Sequence, residues 1–137
     1  LRLTLIGDAL DNVAGAATLT VRVKYGATTI FSAINDGGGA SANRRQLVLR
    51  GELSAAGATN AQVAAFLVIS PSVDNTEASA SGVAPTGVTW ELAPLSAVHN
   101  AVAIDSTVNQ DLVVTFQWSA ADANLSAKAF VVQLELM

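Results

Sequence analysis

Alternation of apolar and polar residues with a period of two is the dominant pattern in this 137-residue chain. A period of two is the period of a strand and does not fit a helix. Leu1, Leu3 and Leu5 share one face. Leu19, Val21 and Val23 share another, opposite Thr20, Arg22 and Lys24. Leu47, Leu49, Gly51 and Leu53 alternate with Val48, Arg50 and Glu52, and Gly57 closes that run. Leu112, Val114, Phe116 and Trp118 are in phase, as are Val102 with Ile104, and Phe130 with Val132, Leu134 and Leu136. Each pattern predicts a strand with one face on a core. Residues 62–69 are apolar on both faces, which predicts a central strand. Residues 61–66 also hold helix formers, but their β-branched neighbours favour a strand.

Turn residues punctuate the strands. Tyr25-Gly26-Ala27 predicts a hairpin into Thr28-Thr29-Ile30-Phe31, and Asn35-Asp36-Gly37-Gly38-Gly39 and Asp122-Ala123-Asn124 predict turns. Residues 70–97 differ: Pro71, Pro85 and Pro94 all fall there, and only 88–92 reads as a short strand. So long a connection is either a surface excursion packed on the sheet or a binding or intersubunit loop. The expected fold is one all-β domain over residues 1–137, a jelly-roll-like antiparallel β-sandwich of about eight strands. An immunoglobulin-like sandwich is the alternative, but it needs only about 100 residues and its Cys…Trp…Cys spacing is missing. The chain opens inside a strand and without Met, so a processed, omitted or disordered N-terminal segment is expected.

Composition narrows the function classes. The chain has no Cys and one His, which excludes disulfide frameworks, cysteine–zinc sites, thiol nucleophiles and multi-histidine metal sites. Its net charge of −4 argues against nucleic acid and anionic membranes as partners. The longest apolar run, residues 63–69, is far short of the roughly 18 residues a membrane-spanning helix needs. Only 13% of residues are charged, against about 25% in typical soluble domains. A surface of Ala, Ser, Thr and Gly suits a protein partly covered by copies of itself.

Asp8 with Asp11, and Asp105 with Asp111, lack the alternating acidic spacing of a calcium loop and read as solvated turn carboxylates. Glu52, Glu91 and Glu135 are the candidate pair members for glycoside hydrolysis, yet Glu52 and Glu135 fall on the polar phase of their strands. His99 is the sole imidazole base available, and no Ser stands in a Gly-x-Ser-x-Gly elbow. Gly37-Gly38-Gly39 lacks the Lys and helix of a phosphate loop. Trp90, Trp118 and Tyr25 are the candidates for stacking a sugar; Trp118 is in phase with core residues. Arg44, Arg45 and Arg50 form the basic cluster, better suited to pairing with a neighbouring acidic subunit than to nucleic acid. Asn124-Leu125-Ser126 fits a glycosylation acceptor, which matters only in a eukaryotic secretory setting. No catalytic, cofactor-binding or metal-binding residue is assigned, and no cofactor is expected.

Four phrases carry a resemblance: Leu1-Arg2-Leu3 with Asn12 after it; Val21-Arg22-Val23-Lys24-Tyr25-Gly26-Ala27-Thr28-Thr29; Gly57-Ala58-Thr59-Asn60-Ala61-Gln62; and Asp111-Leu112-Val113-Val114-Thr115-Phe116-Gln117-Trp118-Ser119. In tone and pattern the chain resembles small structural proteins of tailed bacteriophages, above all the β-sandwich head-decoration (cementing) proteins, over most of its length outside 70–97. The resemblance implies a non-enzymatic jelly roll on the exterior of a virion. It also implies a homotrimer that binds the major capsid protein and a terminal arm that holds the lattice. No functional residue carries over. A carbohydrate- or receptor-binding sandwich module of a phage tail or secreted protein is the alternative reading.

Overall fold

A computed structural model describes residues 1–14, 17–36, 40, 42–69 and 100–137. Among these, eight strands occur and no helix. They are β1 (Arg2–Asp11), β2 (Thr18–Tyr25), β3 (Thr28–Asp36), β4 (Arg45–Ala58), β5 (Ala61–Ile69), β6 (Asn100–Val102), β7 (Leu112–Trp118) and β8 (Leu125–Glu135). Every pairing is antiparallel. Five strands form one sheet in the order β6-β5-β4-β1-β8, and three form the other in the order β3-β2-β7. The expected all-β sandwich is therefore present. First pairs with last (β1 with β8) and second with second-last (β2 with β7), but the nesting stops there: β3 pairs with β2, and β4 pairs directly with β1.

The core lies between the sheets. Leu3, Leu5, Leu47, Leu49, Leu53, Ala64, Phe66 and Val68 come from the wide sheet, and Leu19, Val21, Val23, Ile30, Phe31 and Ala33 from the narrow one. These are the phases read from the alternation. The Phe31 and Phe66 rings meet across the gap with centroids 5.8 Å apart, tilted by 39°, within the range for a favourable aromatic pair. The predicted hairpin joins β2 to β3, and Gly26 takes φ +56° in its turn, a conformation glycine adopts without steric cost. β4 runs on to Ala58, past the expected close at Gly57, because Gly57 (φ +89°) sits in an irregularity between Ala55 and Ala58 rather than ending the strand.

The last strand departs from expectation. Its alternation predicts Phe130, Val132, Leu134 and Leu136 on one buried face. Phe130 is instead an extra residue: Ile6 pairs with Val131 and Gly7 with Ala129, leaving Phe130 as a bulge. Val132 and Leu134 do lie on the core side, opposite Leu5 and Leu3, but both stay more than half exposed. The excursion 70–97, with its prolines and the short strand 88–92, lies outside the described residues, as do His99, Trp90, Glu91 and Gly37-Gly38-Gly39.

Candidate functional site

The outstanding surface is the β8 edge. Among the described residues β8 has β1 on one side and no strand on the other, so its outer row of backbone N–H and C=O groups has no strand partner among them. Along it Phe130 is 63% exposed, Val132 64% and Leu134 52%. Val131, Leu136 and Met137 are exposed as well. By contrast Leu3 and Leu5, their neighbours on β1, are 3% and 2% exposed. Among the described residues the layers differ in width: three strands face five, and the shortfall lies at β8. From Lys128 to Leu134 β8 is exposed on both faces, and a strand that is apolar on its inner phase and lacks an edge partner is energetically incomplete.

The edge is held in place by close backbone packing. A Cβ on Gly7 would run into the Lys128 carbonyl oxygen, so only glycine lets β1 and β8 approach as they do at the bulge. Asn12 N–H donates to the Asn124 carbonyl at 3.2 Å, closing the far end. The predicted turn at 122–124 forms there: the Asp122 carboxylate accepts from the Asn124 amide at 2.7 Å and the Asn124 side chain at 3.0 Å.

The charged candidates are engaged elsewhere. Arg2 sits between Glu52 (2.9 Å) and Glu135 (3.6 Å), so these two carboxylates do come together, but on an open sheet face with each side chain roughly half exposed. A hollow of about 400 Å³ lies beside them, lined by Arg2, Thr4, Arg50, Glu52 and Leu67 among others. Its one carboxylate, Glu52, is already paired with Arg2. Arg44 bonds Asp8 and donates to the Ser126 hydroxyl at 2.9 Å. The expected use of Arg44 toward a neighbouring subunit is thus replaced by an internal tie that fastens the 42–44 segment over the β1–β8 pair. The Asp8 bond holds the Arg44 guanidinium above its ordinary value. Asp11 is buried and accepts from the Val13 N–H at 3.4 Å, so Asp8 and Asp11 have separate structural roles. Asp105 accepts from the Thr107 amide at 2.9 Å and its hydroxyl at 2.6 Å. Both bonds hold the Asp105 carboxyl below the ordinary aspartate value. Among the described residues no group of three or more His, Cys, Asp or Glu is placed to hold a metal.

Of the aromatic candidates, Tyr25 and Trp118 are half-buried and pack against the core. Sequence reasoning singled out Phe130, Val132 and Leu134 only as core. The width mismatch that exposes them leaves no mark in local alternation.

The chain matches no known protein family, no curated protein and no solved structure.

Proposed function

We propose that this protein is a non-catalytic structural subunit that works by associating with copies of itself on a larger surface. In its specific form it is a decoration (cementing) protein on the exterior of a bacteriophage head, bound to the major capsid protein. The observation that carries the reading is the uncovered β8 edge, an apolar strand built to be covered. The low charge of the chain and its phrase-level resemblance to decoration proteins support the same class. A coat gains strength by repeating modest contacts around a symmetric shell, so each contact can be small. The test is to mix the purified chain with undecorated tailed-phage heads and measure bound mass and shell resistance to heat. Saturable binding with a raised disruption temperature is expected; absence of binding to shells refutes the decoration role.

A further inference from the structure

We infer that β8 joins to β8 of a second copy about a two-fold axis through Val132, making one continuous ten-stranded sheet. This rests on the self-association in the reading above and is independent of which shell the protein coats.

The argument begins with which residues share a face. Directly paired residues on neighbouring antiparallel strands point the same way. Ala129, Val132 and Leu134 pair with Gly7, Leu5 and Leu3, so they lie on the core side. Lys128, Val131, Gln133 and Glu135 pair with Asp8, Ile6, Thr4 and Arg2 on the outer side. A two-fold axis perpendicular to a sheet must match inner residues with inner and outer with outer. With Phe130 counted as the bulge, an axis through Val132 does this along the whole strand. Val132 faces Val132 of the partner subunit. Ala129 faces Leu134 of the partner subunit. Val131 faces Gln133 of the partner subunit, and Lys128 faces Glu135 of the partner subunit.

That last match selects the register. Among the described residues, Lys128 has no ion-pair partner, since its neighbour Asp8 is taken by Arg44. Glu135 holds Arg2 at 3.6 Å and accepts from the Gln133 side chain at 2.8 Å, both at the exposed surface. The two-fold joint sets each Lys128 against a Glu135, twice per dimer. A slip by two residues places Lys128 against an uncharged residue and loses both pairs. Exposure agrees: Phe130, Val132, Leu134, Leu136 and Met137 are each more than half exposed, an apolar edge of the kind that marks an interaction surface. A three-fold ring would instead require β8 to meet a different edge of the next copy, and β8 is complementary to itself.

The experiment uses the full chain. The mass in solution is measured by analytical ultracentrifugation from 1 to 100 µM, with circular dichroism and melting as fold controls. A dimer is expected. Val132→Lys sets two like charges on the axis and is expected to weaken association at least 100-fold while the spectrum is kept. Lys128→Glu is expected to weaken it about tenfold, and Lys128→Glu with Glu135→Lys to restore it to within about threefold. Because the chain lacks Cys, Val132→Cys should oxidise to a covalent dimer, whereas Gln133→Cys, off the axis, should not. A monomer at 100 µM overturns the joint, including a monomer in which Val132→Lys only lowers the melting point because a segment of the same chain covers β8. A trimer, or a dimer indifferent to all four changes, also overturns it. None of these outcomes touches shell binding, so loss of the joint and loss of the coat role remain distinguishable.

Discussion

Gly51 shows how one residue shapes the core. It faces inward in β4, opposite Phe66 on β5, and a Cβ there would run into the Phe66 ring. The ring fills the space a side chain would take, and from there it reaches Phe31 in the other sheet. Gly51→Ala must push the ring off that position and is expected to cost about 1–3 kcal/mol, read as a lower denaturant midpoint at unchanged slope. Trp118 shows the opposite case. Its indole N–H is buried with no acceptor among the described residues, so Trp118→Phe removes an unsatisfied donor together with some packing. It is expected to change stability by less than about 1 kcal/mol, and a loss above that in the same titration would mean the N–H has a partner. At Asp105 the sign of the pH effect follows from its two Thr107 bonds. A carboxyl held low stabilises the native state above its unfolded value and loses that contribution as pH falls through the folded one. Carbon-13 NMR of the carboxyl should show Thr107→Val moving its titration upward toward the ordinary value. These side-chain meetings were not legible in the sequence. Nothing near Gly51 in the chain announces Phe66, and Gly51 read only as one member of an apolar phase.

At the scale of elements, alternation revealed the strands well because a half-buried strand leaves its period in the residues themselves. β2, β4 and β7 bury the phases predicted for them. β8 shows where that reasoning stops. A bulge inserts a residue without changing the local pattern, so Phe130 looked in phase with Val132 when the chain had slipped between them. Whether a strand lies at an edge is likewise decided by the other strands and not by its own sequence. The strength of the β1–β8 pairing rests on Gly7. Gly7→Ala is expected to destabilise the protein and to raise hydrogen exchange in β8 amides well above those of β4. Equal exchange in the two strands of that variant would show that the close approach at Lys128 is dispensable.

For the whole molecule, the decisive property is two layers of unequal width. The contact between them runs through Phe31, which is fully buried. Phe31→Ala opens a cavity where the sheets meet and is expected to cost about 3–5 kcal/mol, a large share of the 5–15 kcal/mol typical of a domain; calorimetric melting checks it. The two-layer arrangement was legible from the number of strands and the lack of long helical patterns. The uncovered flank was not, because it depends on a difference between layers that no segment encodes. One more result follows from β1 having β8 as its neighbour. Its two partners are made at very different moments: β4 some forty positions downstream, β8 more than a hundred. At ribosomal speed the first strand waits on the order of ten seconds for the last. Through that interval its free side is open to any passing ribbon, so the yield of correctly assembled protein in a cell should fall as nascent chains become more crowded, and faster elongation, which shortens the interval, should favour it.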